Sequence, residues 1–397
     1  MARAVIAPRI RGFICTTAHP AGCARNIEKQ IEVAQAARTT LPKQYRVLVV
    51  GSSTGYGLAA RVAATWGYDA DTIGVFFERP PDGKKTATAG FYNTAAFHDR
   101  ALADGRTSIN INGDAFSHEI KHQAIDIIKE TFGQVDLVIY SLASPRRTDP
   151  YTGEVYQSVL KPIGGSYTGK TIDLREEVIT EIKMDPATEE EISGTIGVMG
   201  GDDLCLWTEA LLAADALAKG AHVVPFSYIG PELTWPIYRS GTIGKAKEDL
   251  ETTTSGLNAL LHSSISGQAH ISINKAVVTQ ASSAIPVVPL YISLLYRLMK
   301  EQDIHEDPIH QMVRLFNDHI GPGAQPKLDD QHRIRLDGPE LEPTLQSKIN
   351  RLWDQVTTEN FRELSDYDGF KRGFRQLFGF EVDGVDYEEP VEIDTVV

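Results

Sequence analysis

Residues Tyr45 to Trp66 read YRVLVVGSSTGYGLAARVAATW, and the fold is decided there. Arg46 to Val50 show no polar alternation after the arginine, the pattern of a strand buried on both faces of a parallel sheet. Gly51, Gly55 and Gly57 then punctuate a turn, and an Ala- and Leu-rich run suited to a helix follows. Strand, glycine turn and helix start together make an anion site, because unpaired amides and the positive end of the helix dipole converge on the turn. The spacing is G-x-x-x-G-x-G rather than G-x-G-x-x-G, and glycines also mark ordinary turns. A dinucleotide reading therefore needs an acidic partner further along the chain.

That partner is Glu78, 27 positions after Gly51 and 21 after Gly57, at the end of the apolar run Asp71 to Glu78. A second parallel strand would place this carboxylate beside an adenosine ribose, accepting from its hydroxyls and repelling a 2′-phosphate. NADH is expected over NADPH, although Arg79, Lys84 and Lys85 stand close by. A third strand, Thr107 to Asn112, leads to Asp114, which suits an adenine amino group or the cap of a helix starting near Ser117. A fourth, Val135 to Ser141, runs into Leu142 and Ala143, expected cofactor neighbours on the carboxyl edge. A fifth is expected over Ala221 to Tyr228, after a helix from Asp202 to Lys219. The fold class is α/β, a doubly wound parallel sheet of Rossmann type. Turn signals over residues 150–186 indicate a β-rich insertion on the binding edge, and there are extra N- and C-terminal segments.

Residues 1–380 read as one elaborated dinucleotide-binding domain, and residues 381–397 as a solvated acidic tail with no Lys or Arg. Ala284 to Met299 reads as one apolar helix with prolines near its start, a core element by default. The 397 residues carry 42% hydrophobic residues and a formal net charge of −14, so nonspecific nucleic-acid binding is not expected. Three cysteines suggest no disulfide framework and fit a reducing cytosol. Cys15, His19 and Cys23 lack a fourth ligand at matching spacing, so no metal is expected. No signal-peptide core and no membrane-length apolar run is seen, and a soluble, cytoplasmic protein is expected.

The chemistry points to Tyr228, Tyr238 and Lys247, after the fifth strand. A tyrosine is a weak acid at neutral pH, and a nearby ammonium favours its phenolate character. Residues nine apart on one helix face opposite ways, so Tyr238 and Lys247 meet only if Tyr238 precedes the helix, with Ser240 and Gly241 as cap and break.

With these blocks in place the chain resembles the trans-2-enoyl-CoA/acyl-carrier-protein reductases, the FabV-type branch related to the short-chain dehydrogenases. The resemblance rests on RGFICTTAHPAGC, VLVVGSSTGYGLAARVAA, GVFFE, INGDAFSHE, VDLVIYSLASP, SYIGPELTWPIY, GTIGKAKEDLE, VVTQASSAIPVVPLYISLLY and QVTTEN, and on the Y-x8-K spacing of Tyr238 to Lys247. It implies NADH-dependent reduction of the 2,3-double bond of enoyl-CoA or enoyl-acyl-carrier-protein, the last reductive step of fatty-acid elongation. It implies Tyr238 as proton donor, Lys247 on the nicotinamide ribose, and Tyr228 against the substrate thioester. Gly51, Ser52, Ser53, Thr54, Gly55 and Tyr56 would cradle the pyrophosphate, with Phe77, Glu78, Asp114, Ala115, Leu142 and Ala143 lining the adenosine. Val277, Val278 and Thr279 would close over the nicotinamide side, and the Ala284 to Met299 helix would join the acyl-chain wall. It also favours a monomer or weak dimer. Two other readings of the residues stay open: an alcohol dehydrogenase or epimerase using Ser141 or Ser144, and a non-catalytic NAD(H)-sensing protein.

Overall fold

In a computed structural model that describes residues 3–39 and 44–396, Arg46–Val50 forms β1 at the centre of the main sheet. Val47 and Val49 point to one face and Leu48 and Val50 to the other, and all four are completely buried. This two-faced burial is why the run shows no polar alternation. Around it stand β2 (Asp71–Phe76), β3 (Ser108–Asn112), β4 (Val135–Tyr140), β5 (Leu217–Ser227), β6 (Gln268–Ala269), β7 (Ser272–Ile273) and β8 (Ile334–Arg335). The order is β3-β2-β1-β4-β5-β7-β8, with β6 also pairing β5, and every pairing in this sheet is parallel. The order reverses between β1 and β4, and a crevice for a ligand opens at the carboxyl ends of those strands.

The helices are α1 (Pro20–Ala36), α2 (Gly55–Val62), α3 (Ala89–Ala103), α4 (His118–Thr131), α5 (Glu189–Met199), α6 (Asp202–Ala213), α7 (Thr242–Ile265), α8 (Gln280–Ser283), α9 (Val288–Glu301), α10 (Pro308–Leu315), α11 (Pro343–Gln355), α12 (Phe361–Leu364) and α13 (Tyr367–Gln376). Apolar residues of α1, α2, α3 and α10 pack on the Val47/Val49 face, and those of α4, α6 and α7 on the Leu48/Val50 face. A third layer gathers around α9, where Phe361, Tyr367, Phe370, Phe374, Phe378 and Phe380 are buried. The insertion is β-rich as expected: Arg146–Thr148 pairs Val155–Gln157, and Tyr167–Asp173 pairs Val178–Met184, both antiparallel.

Several boundaries differ from the sequence reading. The helix expected to reach Lys219 ends at Ala213, because Asp215 at φ +52° turns the chain into β5. The helix expected from Ala284 begins only at Val288, as α9, and the short α8 lies before it: Val287, completely buried, sits at φ +75° between Pro286 and Pro289. A β-branched residue there is strained. Residues beyond 380 are not a loose tail. Val382 and Ile393 are buried, Val391–Glu392 pairs antiparallel with Arg3–Ala4, and Tyr92 Oη donates to Ile393 O at 3.0 Å. The apolar residues spaced among the acids supply this anchorage. The N-terminal segment includes Met1 and Ala2, and the tail includes Val397; these three lie outside the described residues. Among the described residues, no helix is long and apolar enough to cross a membrane.

Candidate active site

The glycine turn brings three chain segments closer than side chains would permit. Gly51 has φ +89°, and a Cβ there would lie 2.1 Å from Ser141 O. A Cβ on Gly57 would lie 1.9 Å from Gly51 O. The amides of Gly51 and Ser52 both donate to Val75 O, at 2.9 and 3.0 Å, and so serve β2. The first helical backbone bond runs from Leu58 N to Thr54 O, and Thr54 makes no side-chain cap bond. The amides of Gly55, Tyr56 and Gly57 at the start of α2 are therefore open, and an anion would be held there. This close-approach turn, its open amides and an adjoining cleft of about 1810 Å³ fit a dinucleotide.

Glu78 is tied into the same turn, since its Oε1 accepts from Ser53 Oγ at 2.7 Å. Asn112 clamps its backbone from both sides, at 2.9 Å each way. Gly90 makes room, because a Cβ there would lie 2.0 Å from Glu78 Oε1. Beside an adenosine ribose, a carboxylate fixed in this way would favour a free hydroxyl over a phosphate. Glu78→Ser is expected to lower kcat/KM with NADH by about tenfold, the worth of a hydrogen bond to a charged group, and to bring NADPH closer to parity. Steady-state kinetics with both cofactors checks this; an unchanged ratio would remove Glu78 from the ribose site.

Asp114 does not cap α4. That role belongs to Ser117, whose side chain accepts from Ile120 N at 3.2 Å, while Asp114 Oδ1 accepts from Phe116 N at 3.0 Å and shapes the loop. A buried clamp holds the next residue. Lys121 Nζ and Trp207 Nε1 donate to Ala115 O at 2.9 and 3.0 Å, and Lys121 pairs with Asp203 at 2.7 Å. Asp203 also accepts from Tyr140 Oη at 2.9 Å. Sequence reasoning missed this clamp, which joins residues from α4, α6 and β4 that share no motif. Phe77, 77% exposed, stands free at the cleft edge.

Tyr238 precedes α7, as the spacing requires. Gly241 occupies the cap position, and both Gly241 N and Gly244 N return to Tyr238 O, at 3.2 and 2.9 Å. Gly244 lets the loop lie on the first turn, since a Cβ there would be 1.7 Å from Arg239 O. Tyr238 and Lys247 line the same cleft as the glycine turn. Tyr238 is 8% exposed, and among the described residues nothing pairs with its hydroxyl. Burial raises its pKa above the ordinary phenol value. Desolvation is the cause, and the group is held as a neutral O–H donor. Burial draws the Lys247 ammonium down to about 8, with Glu251 acting in the opposite sense.

The other expected residues divide. Ser53, Thr54, Gly55, Tyr56, Leu142, Ala143, Val278 and Thr279 line the cleft. Ser52 is completely buried behind the turn, and Val277 is buried outside the lining. Tyr228 lies beside Tyr238, with ring centroids 5.1 Å apart, and lines a small adjoining cavity of about 20 Å³ with Tyr238 and Lys247. His19, considered as a metal ligand, caps α1 through Nδ1 at 3.2 Å from Gly22 N.

Comparison with known proteins extends over the whole chain. Residues 85–320 match a family described as the trans-2-enoyl-CoA reductase catalytic region, and residues 5–83 the NAD(P)H binding domain of trans-2-enoyl-CoA reductase. An enoyl-[acyl-carrier-protein] reductase [NADH] of Pseudoalteromonas atlantica is 56% identical, over 97% of this chain and 98% of its own. A trans-2-enoyl-CoA reductase [NADH] of Clostridium perfringens is 52% identical, over 99% and 100%. The crystal structure of Clostridium acetobutulicum trans-2-enoyl-CoA reductase in complex with NADH has a TM-score of 0.94 at 42% identity, covering 98% of both chains. That of the Treponema denticola enzyme in complex with NAD has a TM-score of 0.93 at 43% identity, over 99% and 100%.

Residues 328–391 match a third description, an enoyl reductase FAD binding domain. They do not fit a flavin. Between its two-residue strand β8 and α11 stands one glycine, Gly338, where a Cβ would meet nothing within 4 Å, so this turn is no close-approach phosphate cradle. A Cβ on Gly369 would meet Asp366, one on Gly379 would meet His19 O, and the aromatic side chains are buried against α9.

Proposed function

The chain belongs to the trans-2-enoyl-CoA and enoyl-acyl-carrier-protein reductase family and is an NADH-dependent enoyl thioester reductase, and from that premise we propose how its residues divide the reaction. The observation that carries the reading is Tyr238, a buried, protonated and unpartnered phenol sharing one cleft with Lys247 and the glycine turn. Gly55, Tyr56 and the helix start hold the pyrophosphate, Glu78 the adenosine ribose, and Lys247 the nicotinamide ribose. Asp114, Ala115, Leu142 and Ala143 bed the adenosine side. When bound, the dihydronicotinamide supplies the hydrogen and electron pair that reach the substrate's β-carbon. Negative charge then collects on the thioester oxygen, and Tyr238 donates its O–H to that oxygen; a proton arrives at the α-carbon from Tyr238 or solvent. Tyr228 stands beside Tyr238 at the thioester. The cleft segments Gln280 to Ala281 and Ala284 to Ile285, with Tyr296 of α9, form an acyl-chain wall; the other apolar residues of α9 are core.

The chain works as one elaborated domain: the main sheet takes β1 and β2 from the first matched block, β3 to β7 from the second and β8 from the third. We also propose a monomer or weak dimer in a reducing cytosol, in keeping with the free Cys15, Cys23 and Cys205. The function is tested by following NADH oxidation with C4 to C12 enoyl-CoA and enoyl-carrier-protein substrates against a panel of ketones. Enoyl thioesters alone are expected to turn over; turnover of ketones only would favour an alcohol dehydrogenase.

A further inference from the structure

Behind the two tyrosines lies a carboxylate that no motif announces. Glu340 is 0% exposed. Its Oε1 accepts from Tyr228 Oη at 2.8 Å and from Tyr291 Oη at 2.7 Å, and its Oε2 accepts from Ala276 N at 2.6 Å. Gln346 Nε2 donates to Tyr291 Oη at 3.1 Å and to Glu340 O at 2.6 Å, so both ends of the residue are fixed. Lys275, 1% exposed, donates to Ala276 O at 2.9 Å and places a buried positive charge near the carboxylate. The partners come from the end of β5, from α9, from α11 and from the segment after β7 that leads into Val277–Thr279. Buried ionic networks of this kind rarely add stability over an apolar filling of the same shape, so stability alone does not account for one placed here. Its other distinguishing feature is its position, one hydrogen bond from the aromatic pair in the active site.

We propose that Glu340 is a positioning residue for the reduction: it holds the Tyr228 ring against Tyr238 and fixes the direction of the Tyr228 O–H. Burial pushes the Glu340 pKa up, but two phenols, a backbone amide and the Lys275 charge favour its ionised form, which only accepts, so the Tyr228 proton is committed to Glu340. Tyr228 can then offer only lone pairs to a neighbour, and Tyr238 is left as the phenol of the pair with a proton for the thioester oxygen. The segment matched as a flavin domain thereby contributes to the active site through Glu340.

This inference rests on the reading of Tyr228 as a residue beside the substrate, and a double-mutant cycle separates the two. kcat/KM for crotonyl-CoA is measured for the wild type, Tyr228→Phe, Glu340→Gln and the double variant, with NADH affinity followed by fluorescence titration. Each single change is expected to cost about tenfold, the scale of a hydrogen bond to a charged group, with NADH affinity held within about twofold. In the Tyr228→Phe background, Glu340→Gln is expected to cost less than about twofold, because the bond through which it acts is already gone. Losses that multiply overturn the proposal and leave the Tyr228 reading standing. Full activity in Tyr228→Phe overturns that reading, and with it the route through Glu340. Where Glu340→Gln gives no NADH-binding protein, Glu340→Asp, which keeps the charge but withdraws it by a methylene, takes that corner of the cycle with the same outcomes.

Discussion

Tyr238→Phe is expected to lower kcat with crotonyl-CoA by about 10²–10³-fold, the usual cost of removing one donor to a developing oxyanion. The ring stays, so packing against Tyr228 and the loop before α7 are preserved. NADH affinity should be unchanged, because no cofactor interaction is assigned to that hydroxyl. The size of the loss follows from the surroundings. The phenol is buried and unpaired, so its bond to the oxygen is made in a poorly solvated site, where it is worth more than in water. Stopped-flow measurement of NADH oxidation in a single turnover isolates the chemical step. A variant that reduces crotonyl-CoA at near the wild-type rate would remove Tyr238 from the reaction.

Gly244→Ala is expected to approach that loss without touching a reacting group. The added Cβ would lie 1.7 Å from Arg239 O and 2.4 Å from the Arg239 carbonyl carbon. Neither is the end of a flexible side chain, so the backbone of the Tyr238 loop must move. A displacement of about 1 Å at a donor can cost about 10²-fold in rate. Lys247 lies three residues further into α7, on a helix anchored by Leu250, Leu257 and Leu261, and should stay in place. The expected signature is a large fall in kcat with NADH binding nearly intact. A crystal structure of the variant with Tyr238 unmoved, together with normal turnover, would contradict the argument.

The legible part of this molecule was local. β1, the glycine turn and Glu78 follow from an apolar run, three glycines and an acid at the right distance, because nearest neighbours in sequence fix each of them. Tyr238 before the start of α7 followed from helix geometry alone, since nine residues on one helix cannot bring two side chains together. The parts missed are those where the partner is remote. Glu340 and Tyr228 are 112 positions apart, and Lys121 and Asp203 are 82 apart. Asp337 to Glu340, DGPE, reads as an ordinary turn, and nothing in it foretells a buried carboxylate. Composition also misled at the C-terminus, where a surplus of acid hid Val382, Val391 and Ile393 in register for packing. The burial of Tyr238 was hidden for a related reason: its place before α7 could be reasoned from spacing, but its desolvation depends on everything packed around the loop.

The pairing of Arg3–Ala4 with Val391–Glu392 bears on how the enzyme comes into being. At about 5–20 residues per second, a ribosome needs about 20–80 s to make 397 residues, and for nearly all of that time the first strand has no mate. β8 at one edge of the main sheet and Glu340 beneath the tyrosines also emerge late. A nascent chain can assemble β1 to β5 early, but its catalytic cleft stays unfinished, with apolar surface of α9 uncovered, until α11 and α13 arrive. Competence is therefore acquired late, once α11 and α13 have been made. A premature stop near the C-terminus would yield a chain exposed to proteolysis, not a shorter enzyme.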